Sequence, residues 1–273
     1  MIDVKNLHKY FGSLEVLKGI DCHIDKGECV CVIGPSGSGK STFLRCLNLL
    51  ETPTKGDIVI DDMHLTEKNF DVDAMRKRVG MVFQHFNLFP NMTVLKNITL
   101  APVRLGKWKK EEADEKAIGL LKRIGLEKKA LSYPSKLSGG QKQRVAVAGI
   151  IAMKPMCIVL DEPTAMLDPS GRKEVLSTIK KLNKEDGITI VLITHYMDEA
   201  VQADRVVVMD GGEIKLDDTP QNVFSKFDEV KSLGLDVPQS TELIHRLGLK
   251  SENTILNADD CVEFLKKTLE AKV

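Results

Sequence analysis

The octapeptide Gly34-Pro35-Ser36-Gly37-Ser38-Gly39-Lys40-Ser41 constrains the fold of this chain more than any other segment. It matches the pattern G-x-x-x-x-G-K-S at every position; an apolar segment (30–33) precedes it, and apolar residues at helical spacing follow it over 42–50. A strand, this loop and a helix in this order bind phosphate, because the glycines let successive backbone N–H groups turn toward one phosphate group. We therefore predict that Lys40 reaches the β- and γ-phosphates of a nucleotide and that the Ser41 hydroxyl binds Mg²⁺.

A second segment places two acids, Asp161 and Glu162, directly after the apolar residues 157–160. Carboxylates at the carboxyl end of a buried parallel strand lie at the ligand crevice of such a sheet. We predict that Asp161 holds Mg²⁺ through water, and that Glu162 faces the γ-phosphate and polarises the attacking water. An Asp-Glu pair alone is common at a solvated strand end, but the phosphate-binding loop upstream favours the catalytic interpretation.

Gln84 and His195 also follow apolar segments, 79–83 and 188–194. A single Gln or His in this position is usually only a polar strand end. If all these strands are parallel, however, both side chains come to the same crevice. We predict that Gln84 contacts Mg²⁺ and water and that His195 hydrogen-bonds the γ-phosphate.

The pentapeptide Leu137-Ser138-Gly139-Gly140-Gln141 precedes a predicted helix that runs to about Met153. Ser138 can cap this helix, and the two glycines expose backbone N–H groups at its positive end. This is a second phosphate-binding terminus in a chain that already has one. We therefore predict that it serves the nucleotide of another chain, the alternative being an ordinary flexible helix start.

Composition narrows the function further. Lys and Arg total 39, as do Asp and Glu, which argues against a general nucleic-acid binder. No apolar run approaches the roughly 18 residues that span a bilayer, and the N-terminus lacks the layout of a signal peptide. We expect a cytosolic chain that sits on a membrane partner. The six cysteines form no Cys-x-x-Cys pair and are expected to be small buried apolar residues in a reducing compartment.

Alternating strand and helix patterns predict an α/β fold with a mainly parallel sheet. The segment at about 90–154 is charged and helical, so it is predicted to be a helical subdomain inserted in the core. Asp210-Gly211-Gly212 predicts a hairpin turn between strands. Beyond residue 219 the chain is predicted to be mostly helical, with Asn257 capping the last helix.

Taken together, these motifs resemble the ATP-binding cassette (ABC) ATPase family over residues 1–220, leaving 221–273 as a helical tail. The resemblance implies a P-loop NTPase fold with an N-terminal antiparallel β region, and two subunits packed head to tail. It also implies that Phe11 stacks on adenine and that 165–168 form the D-loop. The catalytic residues it implies are Glu162, His195 and Gln84, and the Mg²⁺ ligands are Ser41, Gln84 and Asp161. The implied ATP-binding residues are Phe11, Gly34, Pro35, Ser36, Gly37, Ser38, Gly39, Lys40, Ser41, Thr42, Ser138, Gly139, Gly140, Gln141 and Asp168.

The two halves of the chain resemble different subfamilies. The N-terminal half resembles ATPases of polar amino acid importers, and the C-terminal half resembles ATPases of energy-coupling factor transporters, which import vitamins or metal ions. The resemblance to amino acid importers rests on segments 33–42, 44–46 and 82–94. The resemblance to energy-coupling factor transporters rests on segments 145–153, 164–169 and 233–238.

One departure separates these subfamilies. Energy-coupling factor ATPases usually carry an Asn-Pro-Asp-Asn-Gln-like stretch after the Gln-loop, where this chain has His85-Phe86-Asn87-Leu88-Phe89-Pro90. In the family that surface receives the coupling helix of the membrane subunit. The resemblance therefore favours an amino acid importer, with the vitamin or metal system as the alternative and a natural or constructed mosaic as a further one.

The expected partners are a second ABC ATPase subunit, identical or related, together with permease subunits at the cytoplasmic face of the membrane and a solute-binding protein. No nucleic-acid partner is expected. Two other classes are weaker alternatives. A soluble ABC-type remodeller of nucleic acid or ribosomes usually has two cassettes or a coiled-coil insertion, and a P-loop kinase or GTPase has no use for the pentapeptide or His195.

Overall fold

The computed structural model describes residues 1–270, which form ten strands and eleven α-helices. The strands are β1 (Ile2–Phe11), β2 (Leu14–Ile24), β3 (Cys29–Ile33), β4 (Lys55–Ile60), β5 (Met63–His64), β6 (Val79–Val82), β7 (Cys157–Asp161), β8 (Thr189–Ile193), β9 (Arg205–Asp210) and β10 (Glu213–Asp218). The helices are α1 (Lys40–Leu47), α2 (Val72–Arg76), α3 (Val94–Arg104), α4 (Lys110–Arg123), α5 (Gly139–Ile151), α6 (Pro169–Asp186), α7 (Met197–Ala200), α8 (Pro220–Ser225), α9 (Phe227–Ser232), α10 (Gln239–Arg246) and α11 (Ala258–Glu270).

The central sheet has the order β10-β9-β3-β8-β7-β6, and all its strands except β10 are parallel. Every residue of β7 and β8 is buried, as expected for strands covered on both faces. The carboxyl ends of β3, β8, β7 and β6 meet along one edge, which is where the sequence analysis expects the ligand crevice. The parallel core of the predicted α/β fold is confirmed.

A separate antiparallel sheet, of order β2-β1-β4-β5, confirms the predicted N-terminal β region. Its apolar side chains pack with those of α1 and of the central sheet in one cluster. Because α1 begins directly after the phosphate-binding loop, the packing of α1 in this cluster fixes the helix that carries Lys40 and Ser41.

Helices α3, α4 and α5 pack around an apolar cluster of their own. Its fully buried members include Val94, Ile98, Ala117 and Leu121. The predicted boundaries of a helical subdomain at about 90–154, and of a tail at 221–273, stay predictions. The final three residues, 271–273, lie outside the described part of the chain.

The sequence pattern misplaced the ends of α1 and correctly placed the cap of α11. Helix α1 spans Lys40–Leu47 rather than the predicted 42–50, because it starts at the left-handed Gly39 and stops at Asn48, whose side chain accepts a hydrogen bond from Leu50 N. The cap of α11 is confirmed: Asn257 Oδ1 accepts a hydrogen bond of 2.9 Å from Asp260 N. Within residues 1–270, no helix combines the length and the apolar character needed to cross a bilayer.

All six cysteines are free thiols, and all but Cys29 are buried. Burial raises the pKa of Cys22 to about 11 and the pKa of Cys46 and Cys157 to about 12. The expectation that the cysteines are small buried apolar residues agrees with the burial of the five cysteines other than Cys29.

Candidate functional site

The phosphate-binding loop is fixed by two glycines that no other residue can replace. Gly34 has φ +158°, and a methyl group on it would lie 2.1 Å from Met209 O at the end of β9. Gly39 has φ +97°, and a methyl group there would lie 2.9 Å from Leu17 Cδ2 of β2. The loop is therefore clamped between the two sheets at the carboxyl end of β3.

The inside of this loop has the chemistry of a phosphate cradle. Lys40 Nζ donates hydrogen bonds to Gly34 O at 2.8 Å and to Pro35 O at 2.9 Å. Burial lowers the pKa of Lys40, while the nearby carboxylates of Glu162 and Asp161 raise it. A buried Ser38 Oγ has no hydrogen-bond partner in the described part of the chain. A confined cation beside an unsatisfied hydroxyl suits a phosphate group, so the residues present fit a nucleotide.

Asp161 ends β7 beside the first turn of α1. Ser41 Oγ donates a hydrogen bond of 2.9 Å to Asp161 Oδ1, and Arg45 Nη2 lies 3.9 Å from Asp161 Oδ2. Burial raises the pKa of Asp161, and the Ser41 hydrogen bond and the Arg45 charge lower it. The structure thus brings together two of the three predicted Mg²⁺ ligands.

The third predicted ligand, Gln84, is exposed just beyond β6, on the strand next to β7. No side-chain hydrogen bond joins it to Ser41 or Asp161 within the described residues. No group of three or more His, Cys, Asp and Glu side chains suited to a metal ion occurs in that part of the chain either. The donors present are a hydroxyl, a carboxylate and an amide oxygen, the oxygen ligands that Mg²⁺ uses together with phosphate and water.

Glu162 and His195 meet across the ends of β7 and β8. His195 Nε2 lies 2.9 Å from Glu162 Oε1, and the two side chains are 44% and 21% exposed, respectively. Glu162 has φ +50°, a left-handed conformation that is unfavourable for a residue with a side chain. Such backbone strain persists only where surrounding contacts hold it, and it is concentrated at functional sites.

The pentapeptide 137–141 forms a capped and packed helix start. Ser138 Oγ accepts from Gln141 N at 3.3 Å, and Gln141 Oε1 accepts from Ser138 N at 3.1 Å, which is a capping box. A methyl group on Gly140 would lie 3.0 Å from Gly171 Cα, so α5 and α6 touch backbone to backbone. The predicted cap is confirmed, and the role of this helix start toward a second chain stays a prediction.

The start of α5 also contacts two neighbouring segments. A methyl group on Gly139 would lie 3.0 Å from Leu167 Cδ2 and 3.5 Å from Phe86 Cζ. Lys142 Nζ lies 5.8 Å from the centre of the Phe86 ring. The pentapeptide therefore lies between the segment that follows Gln84 and the segment that precedes α6.

The remaining predicted residues occupy surface positions. Asp168 caps α6 by accepting a hydrogen bond of 3.2 Å from Gly171 N. Phe11 is 45% exposed at the end of β1, with Lys9 Nζ 4.7 Å from its ring centre. Thr42 lies half-buried in the first turn of α1. An exposed aromatic ring at the end of β1 is available for stacking on a base.

Sequence reasoning missed Glu199, a buried acid on the short helix α7. Its Oε2 accepts hydrogen bonds from Thr164 Oγ1 at 2.9 Å and from Thr194 Oγ1 at 2.6 Å. Burial raises its pKa, and the two threonine hydroxyls lower it. The signal available in the sequence was a threonine close to each of Glu162 and His195. Periodicity alone does not show that these two threonines share one partner.

Comparisons with known proteins agree with this geometry. A family model described as ABC transporter matches residues 17–165. The arginine transport ATP-binding protein ArtM of Bacillus subtilis is 53% identical over 225 residues, covering 82% of this chain and 93% of that protein. The energy-coupling factor transporter ATP-binding protein EcfA1 of Caldanaerobacter subterraneus is 49% identical over 257 residues, covering 93% of this chain and 92% of that protein.

Solved structures show the same fold. The dimeric, post-hydrolysis structure of the ATP-binding cassette MJ0796 with ADP and Pi has a TM-score of 0.71 at 37% identity, over 80% of this chain and 98% of that one. The structure of cbiO1 from Clostridium perfringens, part of the ABC transporter complex cbiONQ, has a TM-score of 0.77 at 33% identity, over 89% and 98% of the two chains. The chain therefore belongs to the ABC transporter family, as a subunit that binds and hydrolyses ATP.

Proposed function

We propose that this chain, the ATPase subunit of an importer, drives the uptake of polar amino acids through membrane permease subunits and a solute-binding protein. The observation that carries the proposal is a cavity of about 430 Å³ lined by the segment after Gln84 together with β6, α3 and α5. Phe83, Phe86 and Phe89 supply its aromatic walls. A concave apolar surface of this kind accepts a short helix from a partner.

The position of this surface explains how a permease would sense ATP. Phe86 lies against Gly139 at the start of α5, and Gln84 precedes it at the end of β6. A helix that enters the cavity would therefore press on a segment that touches the pentapeptide. The same segment, 85–90, is where the chain resembles amino acid importer ATPases, and the 53% identity to an arginine transport protein supports that substrate class.

For hydrolysis, we assign Glu162 as the group that orients and deprotonates the attacking water. Its Oε1 lies 2.9 Å from His195 Nε2, so both groups lie where the γ-phosphate and the attacking water would meet. Lys40 supplies positive charge at the β- and γ-phosphates, and His195 donates to the γ-phosphate when ATP is bound. Because His195 has only one Nε2, it exchanges one partner for the other as ATP arrives and leaves.

Mg²⁺ is assigned to Ser41 and Asp161, with Gln84 joining them in the nucleotide-bound state. When bound, the ion neutralises charge on the phosphates during phosphoryl transfer. The Ser41–Asp161 hydrogen bond of 2.9 Å holds both oxygen atoms at the carboxyl end of β7 beside the loop. These two residues then need little rearrangement to accept the ion and its water.

The pentapeptide is assigned to the ATP of a second subunit. Ser138 and the N–H groups of Gly139 and Gly140 form a capped helix start with a positive end. In such a dimer, each ATP lies between the phosphate-binding loop of one subunit and the pentapeptide of the other. Both phosphate-binding segments of each chain are then used. The MJ0796 cassette, at 37% identity, is dimeric, which supports the pairing of two subunits.

A second function, ATPase of an energy-coupling factor transporter for vitamins or metal ions, is favoured by one observation. The alignment to EcfA1 covers 93% of this chain, whereas the alignment to ArtM covers 82%. The alignment to EcfA1 therefore takes in more of this chain than the alignment to ArtM does. This observation concerns the length of the alignment, whereas the permease contact proposed above concerns the segment after Gln84.

The two functions are separated by reconstituting the chain into proteoliposomes with each type of membrane partner. We expect ATP hydrolysis to be stimulated by an amino acid permease with its loaded receptor, and not by the membrane subunits of an energy-coupling factor transporter. Replacing the five residues 85–89 with Asn-Pro-Asp-Asn-Gln should remove the stimulation. Stimulation by the energy-coupling factor subunits alone would establish the second function instead.

A further inference from the structure

The carboxylate of Glu199 joins two segments that are far apart in sequence. Thr164 lies two residues after Glu162, and Thr194 directly precedes His195. The hydroxyls of both threonines donate to the same oxygen, Glu199 Oε2, at 2.9 and 2.6 Å. Glu199 is 2% exposed, so water does not compete for these hydrogen bonds.

The direction of the hydrogen bonds is fixed on the His195 side. Tyr196 N donates to Thr194 Oγ1 at 3.0 Å, so this hydroxyl accepts from the backbone and donates its own hydrogen to Glu199. One continuous chain of hydrogen bonds therefore runs from the backbone after His195, through Glu199, to Thr164. The ends of β7 and β8 are linked behind the pair of residues that face the nucleotide.

Stability of the fold does not explain this arrangement. Glu199 Oε1 is buried and has no hydrogen-bond partner in the described part of the chain. An unsatisfied buried carboxylate oxygen destabilises a fold, and an apolar side chain of similar volume would pack there without that cost. The presence of an acid in this position therefore calls for another explanation, which its two threonine partners supply.

We propose that Glu199 is a positioning residue for ATP hydrolysis, which sets the spacing between the Glu162 segment and the His195 segment. The inference rests on the roles proposed above for Glu162 and His195. Glu162 has a strained backbone with φ +50°, and Thr164, two residues later, is anchored by its hydrogen bond to Glu199. Without Glu199, the two segments lose their common anchor and the 2.9 Å contact between Glu162 and His195 loosens.

A second contact holds the His195 segment from another side. The guanidinium carbon of Arg172, in the first turn of α6, lies 4.0 Å from the centre of the Tyr196 ring. Arg172 thus limits the sideways movement of the segment, whereas Glu199 fixes its distance from β7. The effect of removing Glu199 is therefore expected in the spacing of the catalytic groups and not in the folding of α7.

The test is steady-state hydrolysis of MgATP by the full chain, normalised to nucleotide-binding sites. We expect Glu199→Ala to lower kcat by about tenfold or more while KM changes by less than about threefold. Glu199→Gln keeps an oxygen that accepts from both hydroxyls, so it should retain kcat within about threefold of the parent. Asp198→Ala removes the exposed neighbouring acid on α7 and should leave both constants unchanged.

A double substitution distinguishes positioning from general damage. If Glu199 acts through His195, combining Glu199→Ala with His195→Ala should be no more than about twofold slower than His195→Ala alone. Fully multiplicative losses would overturn the inference. If Glu199→Ala does not fold, Thr164→Val and Thr194→Val remove the same hydrogen bonds with side chains of equal shape, and normal kcat in both would also overturn it. Failure of the underlying mechanism is a separate result, because only that would leave Glu162→Gln fully active.

Discussion

His195 Nε2 and Glu162 Oε1 lie 2.9 Å apart, although 33 residues separate them in the chain. Their contact closes the carboxyl ends of β7 and β8 into a single polar group that faces the phosphate-binding loop. Glu162 is also the strained residue of the pair, with φ +50°. The two groups predicted to act in hydrolysis therefore lie side by side at one point of the site.

Glu162→Gln should abolish turnover and leave ATP binding intact. The amide keeps the shape of the side chain and its contact with His195 but cannot accept a proton from water, so we expect kcat to fall by about 100-fold or more. Nucleotide binding and turnover are measured on the same preparation. Glu115→Gln, an exposed acid on α4, is the matched control and should behave as the parent. Normal hydrolysis by Glu162→Gln would remove Glu162 from the mechanism.

Ser138→Ala should weaken ATP-dependent dimerisation and spare nucleotide binding by the single subunit. The substitution removes the cap of α5, at a cost of about 1 kcal/mol, and also the hydroxyl proposed to reach the partner's ATP. Dimerisation is followed by crosslinking or size-exclusion chromatography with ATP in a hydrolysis-deficient background. Thr219→Ala removes a comparable cap, the 3.3 Å hydrogen bond at the start of α8. Equal dimerisation by the Ser138 variant and the parent would contradict the role in trans.

Two glycine substitutions in helices should have opposite effects on stability. Gly140→Ala places a methyl group 3.0 Å from Gly171 Cα, so α5 and α6 must separate, and we expect a loss of about 1–3 kcal/mol. Gly119→Ala on α4 meets no atom within 4 Å and should stabilise the protein by about 0.5–1 kcal/mol. Urea unfolding of the two variants measures both changes. Similar values for the two would show that the contact between the helices is not tight.

The buried thiols should make the protein less stable at high pH. Burial raises the pKa of Cys157 from 9.0 to about 12. Between these values the unfolded chain loses the thiol proton and the folded chain keeps it. The free energy of unfolding therefore falls as pH rises, by up to about 1.4 kcal/mol per pH unit for each such cysteine.

Urea unfolding under reducing conditions at pH 8, 9 and 10 tests this dependence. Cys157→Ala should make the decline with pH shallower, although the smaller side chain lowers stability at every pH. Val159→Ala, on the same buried strand, should lower stability without changing the slope. An unchanged slope in Cys157→Ala would show that this thiol is not held protonated by the fold.

Much of the site follows from the sequence because its residues are strand ends. Parallel strands bring their carboxyl ends to one edge, so placing β3, β7 and β8 was enough to bring Ser41, Asp161 and the Glu162–His195 pair together. The two glycines of the pentapeptide were recognised from their pattern. Their second role, the close approach to α6, depends on Gly171, which lies in another part of the sequence.

Glu199 could not be found in this way, and the physical reason is specific. It lies on a helix of four residues, too short to show a period, and its partners Thr164 and Thr194 are 35 and 5 residues away. The start of α1 was misplaced for a related reason. The left-handed Gly39 allows the helix to begin directly at Lys40, inside the segment that the pattern assigned to the loop.

The contact between Gly140 and Gly171 is a direct contact of two backbones, with no side chain between the helices. Side chains between two helices can change rotamer and absorb a small displacement, but two backbones in direct contact cannot. Whatever moves the start of α5 therefore moves the start of α6, with Asp168 at its cap and Arg172 against Tyr196. A nucleotide bound at the pentapeptide, as proposed above, would therefore act through this contact on the His195 segment of the same chain.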